Sequence, residues 1–125
     1  MRILFVEDDP GFQKLSSTVA RRAGHECVSV ETVAGARALL QQDSFDLLAL
    51  DLELPDGDGL EVCQQALCDF HRDVPMVIIT GNKRDQLEQG CQELGLALIE
   101  KGPEFAPTFR NLLERLETSV ANAQS

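Results

Sequence analysis

Five short apolar runs, at residues 2–6, 26–30, 46–51, 75–80 and 96–100, alternate with stretches whose apolar residues return every three or four positions. Runs nearly continuous in Ile, Val and Leu suit strands buried on both faces, and the spacing between them is that of a helix. Regular alternation of the two predicts an α/β fold: a parallel sheet with helices on both faces. In the first helix Phe12, Leu15, Val19 and Ala23 share a face that should end at Gly24, and Val33, Ala36 and Leu40 mark the second. Leu60, Cys63, Leu67 and Phe70 mark the third, Leu87, Cys91 and Leu94 the fourth ahead of Gly95, and Phe105, Phe109, Leu112 and Leu116 the last. The polar stretch from about Thr118 should fray.

A chain of 125 residues with 43% hydrophobic content supports one domain with a proper core and leaves no room for a second. No repeat, linker or low-complexity stretch interrupts it. The net charge is −10, with Asp and Glu spread along the sequence, so direct binding to nucleic acid or to an anionic membrane is not expected. The opening Met-Arg-Ile-Leu-Phe-Val meets acids at Glu7, too early for a signal-peptide core, and no apolar stretch is long enough to span a bilayer. A cytoplasmic protein is expected. Cys27, Cys63, Cys68 and Cys91 form no Cys-x-x-Cys pair and have no nearby His, so they read as small apolar fillers rather than a zinc or redox site.

Periodicity does not give the strand order, because five β-α units can be wound in two common ways. The acids favour one of them. Glu7-Asp8-Asp9 follows the first apolar run and Asp51 closes the third. In the order 2-1-3-4-5 strands one and three are neighbours, and their carboxyl ends form the crevice where such sheets bind ligands. Right-handed crossovers bring all strand ends to one edge, so Thr80 and Lys101 would line the same crevice. Carboxylates about 5 Å apart repel by roughly 3 kcal/mol per pair at an effective dielectric near 20, a penalty that a hard cation removes. Oxygen donors with room for water favour Mg²⁺.

At these residues the chain resembles the receiver domains of bacterial two-component response regulators, over nearly its whole length. Ile3-Leu-Phe-Val-Glu-Asp-Asp-Pro10 is similar to the family's first strand and acidic pair, and Asp51-Leu-Glu-Leu-Pro-Asp-Gly-Asp-Gly59 to its phospho-acceptor segment. Val74-Pro-Met-Val-Ile-Ile-Thr80 resembles the fourth strand with its switch hydroxyl, and Ile99-Glu-Lys101 the fifth with its Lys. The resemblance implies a flavodoxin-like receiver fold over residues 1–120, with 121–125 a polar tail or the start of a linker. It implies Asp51 as phosphoryl acceptor, Thr80 and Lys101 as its catalytic partners, and Mg²⁺ held by Glu7, Asp8, Asp51 and the backbone carbonyl of Glu53. It further implies a histidine kinase or histidine phosphotransfer protein as donor, and a downstream protein or fused output domain as reader. The face of the fourth helix, fifth strand and fifth helix would carry the signal and could dimerise. Such a module catalyses only its own phosphorylation and dephosphorylation.

Three positions depart from the family pattern. Leu98 stands where Tyr or Phe is common, which removes a ring-based switch. Gly102 separates Lys101 from Pro103, where a proline usually follows at once and aims the Lys. Gly81 follows Thr80 where Ala is common. Leu98 and Gly102 keep a second reading open, a pseudo-receiver that only docks or dimerises. A small Mg²⁺-dependent phosphatase lacks a general acid beside its nucleophile, and flavin binding is opposed by the acidic loop after strand one. An EF-hand starting at Asp51 fails because its twelfth position is Val62. His25 and His71 fall near loop boundaries and are expected at the surface. Arg21-Arg22 suits a helix end, Lys83-Arg84 reads as a solvated face, Asp56 and Asp58 suit the turn beside the site, and Glu53 and Asn82 should flank the acceptor.

Overall fold

The computed structural model describes residues 1–68, 74–81, 85–93 and 95–124. Strand and helix alternate in the order β1 (Arg2–Val6), α1 (Pro10–Arg22), β2 (Glu26–Val30), α2 (Val33–Gln42), β3 (Leu47–Asp51), α3 (Gly59–Cys68), β4 (Met76–Thr80), α4 (Asp85–Glu93), β5 (Ala97–Glu100) and α5 (Phe105–Gln124). All pairings in the five-stranded sheet are parallel, and its order is β2-β1-β3-β4-β5, the one the acids favour. In the loop after β3 a two-residue antiparallel ladder pairs Glu53–Leu54 with Gly57–Asp58.

Because successive strand residues point to opposite faces, the sheet builds two cores. Leu4, Val6, Leu48, Leu50 and Ile78 meet Val33, Ala36 and Leu40 of α2, Val62, Cys63 and Ala66 of α3, and Cys91 of α4. Ile3, Phe5, Leu47, Ala49, Val77 and Ile79 meet Val19 and Ala20 of α1 and Phe105, Phe109 and Leu113 of α5. Burying each of the two α5 rings fully contributes about 1.5–3 kcal/mol, which anchors that helix against the sheet.

Several expectations need correction. Leu15 is 43% exposed and Ala23 is exposed as well; the buried face of α1 instead includes Ser16 and Ser17. Ser16 tolerates burial because its hydroxyl donates to the carbonyls of Phe12 and Gln13, at 2.9 and 3.2 Å. Helix α5 runs to Gln124, through the polar stretch that follows Thr118, and Leu113, rather than Leu112 or Leu116, is its third fully buried residue. His25 is buried, not exposed. Its Nδ1 lies 2.9 Å from the amine of Met1, and burial, then the charge of that amine, hold its pKa below the ordinary range. Cys63 and Cys91 are buried and Cys27 is half-buried, and none of the three is in a disulfide. Gly24 ends α1 at φ 90°, a conformation that a residue with a Cβ rarely adopts. Phe70, His71, Asn82, Lys83, Arg84 and Leu94, and the side chains of Asp58, Leu67, Cys68 and Leu87, lie outside the described residues. Among the described residues no helix is long and apolar enough to cross a membrane.

Candidate functional site

The sheet register aligns the strand ends. Val6 of β1 is level with Leu50 of β3, Asp51 with Ile79 of β4, and Thr80 with Glu100 of β5. Residues just past these positions therefore meet over one edge. Glu7 is fixed there by its own N–H, which donates to the Val30 carbonyl at 3.0 Å. Asp9 caps α1, accepting from the N–H groups of Gly11 and Phe12 at 3.0 and 3.5 Å, and Pro10 fills the first helical turn, where its missing N–H costs nothing.

Glu7, Asp8 and Asp51 each offer a carboxylate oxygen, and these atoms all lie within 4.8 Å of one another. The Lys101 Nζ donates to Glu7 Oε1 at 2.9 Å and to Asp51 Oδ2 at 3.3 Å. Asp51 Oδ1 accepts the Glu53 N–H at 3.3 Å, and Glu7 Oε1 also accepts the Asp9 N–H at 3.1 Å. Glu7 and Asp51 are buried whereas Asp8 is exposed, so the cluster meets solvent on the Asp8 side. Burial pushes the Glu7 carboxyl up; the Lys101 hydrogen bond offsets part of this and the Asp51 charge adds to it. For Lys101 burial alone would lower the pKa, but the hydrogen bond to Glu7 and the charges of both carboxylates outweigh it and raise the value, so the ammonium is firmly charged. Three carboxylates against one ammonium leave an excess of negative charge, and every donor is a hard oxygen. That donor set suits a hard divalent cation.

Of the residues singled out in the sequence, Glu7, Asp8, Asp51 and Lys101 come together as side chains. Thr80 is buried at the end of β4, one residue past the partner of Asp51, and its carbonyl accepts the Lys101 N–H at 2.7 Å. Glu53 keeps its side chain exposed and meets the site through its backbone. Leu98 is half-buried and packs on the α2–α3–α4 core.

Two residues have roles that sequence reasoning missed. Asp9 as helix cap was legible, since Asp followed by Pro is a common helix start. Asp56 was not: its carboxylate leaves the acceptor loop to accept the N–H groups of Val33 and Ala34 at 2.8 and 3.0 Å, capping α2 from outside. Those two backbone bonds hold the Asp56 pKa below the usual carboxylate value. Its contribution to stability is therefore complete above the ordinary carboxylate range and is lost as pH falls through the depressed value. Asp56→Ala should lower the melting temperature at neutral pH, while Asp56→Asn, whose amide oxygen can accept from only one of the two N–H groups and whose NH2 then faces the other, should recover at most part of the loss; equal melting of all three proteins would refute the cap.

A sequence model described as the response regulator receiver domain matches residues 3–102. The chain belongs to this family. It is 38% identical over 90 residues to the swarming motility regulation protein RssB of Serratia marcescens, covering 70% of this chain and 39% of that protein. It is 30% identical over 131 aligned residues to the transcriptional regulatory protein GltR of Pseudomonas aeruginosa, covering 98% of this chain and 50% of that one. The chain thus spans half or less of the length of these relatives. Among solved structures, the BeF3-activated N-terminal receiver domain of Klebsiella pneumoniae RstA superposes with a TM-score of 0.81 at 26% identity, over 93% of this chain and 98% of that one.

Proposed function

We propose that this receiver domain accepts a phosphoryl group on Asp51 from the phosphohistidine of a histidine kinase or histidine phosphotransfer protein, or from a small acyl phosphate. The observation that carries the reading is the convergence of Glu7, Asp8 and Asp51 with the Lys101 ammonium at one sheet edge. The BeF3-activated form of the RstA relative supports it.

In the reaction an Asp51 oxygen attacks phosphorus. The bond to the donor's nitrogen or oxygen breaks, its electron pair leaves with the donor, and a mixed carboxylic–phosphoric anhydride forms. An anion attacking an anion needs charge placed in advance around the transferring group. Lys101 supplies one such charge from where it already touches Asp51. The Thr80 hydroxyl, at the next strand end, takes a second phosphoryl oxygen. Mg²⁺ fits the all-oxygen site of Glu7, Asp8, Asp51 and the Glu53 backbone carbonyl, and when bound supplies further positive charge to the phosphoryl oxygens. The new negative charge on Asp51 biases the α4–β5–α5 face, which a downstream protein, a fused output domain or a second copy reads. The acting module is residues 1–120, with 121–125 its polar end or a linker, working in the cytoplasm and turning over no substrate but its own phosphoryl group.

The test is incubation with Mg²⁺ and acetyl phosphate followed by intact mass measurement. The protein should gain one phosphoryl group and Asp51→Asn none. Leu98 in place of a ring and the open space around Gly102 favour a second reading, a docking module that works without phosphorylation. Wild-type protein that takes up no phosphoryl group decides for that second reading.

A further inference from the structure

The Lys101 ammonium has a third neighbour besides its two carboxylates. It lies over the face of the Phe12 ring, 4.7 Å from the ring centroid. That is well inside the range at which a cation is attracted to the negative face of an aromatic ring. Phe12 belongs to the first turn of α1, just past the acidic pair, and is half-buried.

The two glycines beside Lys101 and Thr80 add no side-chain packing to these contacts. A Cβ built at Gly102 would meet nothing within 4 Å, and one built at Gly81 would reach the Lys101 Cδ only at 4.0 Å. The glycine at 81 therefore withholds a contact that any larger residue would make along the Lys stem, and the glycine at 102 packs nothing against the turn. Phe12, by contrast, is itself held. Its ring meets Phe105 edge-on with centroids 4.6 Å apart at 61°, and Phe105 stacks on Phe109 at 5.3 Å and 22°. Phe105 and Phe109 are fully buried, so the ring face offered to Lys101 belongs to a fixed aromatic column, not to a loose surface side chain.

We propose that Phe12 is the positioning residue for Lys101, holding the ammonium against Asp51 by a cation–π contact where the chain provides no adjacent proline. The inference rests on the reading of Asp51 as phosphoryl acceptor for its kinetic consequence, but not for the contact itself. Phe12 could instead be only a packing residue between α1 and α5. The two roles separate by substitution: Phe12→Leu keeps an apolar side chain against Phe105 but has no ring face, and Phe12→Tyr keeps the ring.

The experiment has two arms. In the first, proton NMR of the full chain without phosphodonor should find the Lys101 ε-methylene protons shifted upfield by the ring, with the shift lost in Phe12→Leu and kept in Phe12→Tyr. In the second, Phe12→Leu should take up phosphoryl from acetyl phosphate about three- to tenfold more slowly than wild type, the worth of one partly exposed cation–π contact, and Phe12→Tyr should restore the rate. Absence of the upfield shift in wild-type protein overturns the proposal even if Phe12→Leu fails to fold. A folded Phe12→Leu that reacts at the wild-type rate also overturns it. Should wild-type protein take up no phosphoryl group, the phosphoryl-acceptor reading of Asp51 fails by itself, and the NMR arm alone decides whether Phe12 holds Lys101.

Discussion

Replacing Lys101 by Met is expected to slow phosphoryl uptake by about 10²- to 10³-fold, the usual cost of removing one prearranged charge or donor from a developing anion. Met keeps an unbranched stem of similar length and loses the ammonium that lies 2.9 Å from Glu7 and 3.3 Å from Asp51. The same change exposes what that charge offsets at rest. Glu7, Asp8 and Asp51, with oxygens within 4.8 Å of one another, would then face each other uncompensated, at roughly 3 kcal/mol of repulsion per pair for an effective dielectric near 20. The metal-free variant should melt well below wild type. Added Mg²⁺ should then raise its melting temperature by more than it raises that of wild type, because a cation entering the variant relieves a larger repulsion and meets no competing ammonium. Melting curves with and without Mg²⁺ measure both effects, and a Mg²⁺-dependent gain no larger than that of wild type would show that Lys101 is not the charge that balances the cluster.

The parts of this site that were legible in the sequence are those whose signal is local. Strand ends fell within a residue of expectation because buried parallel strands are written as unbroken apolar runs. The acids at two of those ends then selected the strand order. What escaped depends on partners distant in the chain. His25 looked like a surface loop residue, but its N–H bonds the Ala20 carbonyl at 3.1 Å and its ring is covered beside Met1, a neighbour that no local pattern announces. Asp56 has the composition of a turn and acts as a cap for a helix that begins more than twenty residues earlier. Leu15 was assigned to the core by spacing alone, yet α1 turns Ser16 and Ser17 inward, which the chain allows by satisfying Ser16 on its own backbone. At the other end, the stretch from about Thr118 carries no sequence signal for order beyond its polar composition. Ala and Gln are good helix formers, and helix α5 continues through them.

Gly59 shows how tightly the acceptor is held from below, and Gly59→Ala should damage both stability and chemistry. The loop after Asp51 closes when the Gly59 N–H donates to the Leu52 carbonyl at 3.0 Å, while the Leu52 N–H donates to Ile79 at 3.3 Å. This closure draws the first residue of α3 against the end of β3. A Cβ at position 59 would lie 2.4 Å from the Asp51 carbonyl oxygen, 3.1 Å from its carbonyl carbon and 3.2 Å from the Leu50 Cβ. Those atoms are backbone and core, not the mobile end of a surface side chain, so they cannot give way cheaply. Either α3 lifts from the sheet or Asp51 shifts within it. Overpacking of a well-filled site costs about 1–3 kcal/mol and at times more. Displacing a reacting group by about 1 Å can cost 10²-fold in rate. Gly59→Ala should therefore unfold at lower denaturant concentration and take up phosphoryl from acetyl phosphate about 10²-fold more slowly. Because the added methyl brings no charge and lies against the Asp51 backbone and Leu50, a loss of rate in a folded Gly59→Ala protein reports the position of Asp51 and of the loop after it, which carries the Glu53 carbonyl. Wild-type stability together with a wild-type rate would mean that the acceptor loop can open at little cost.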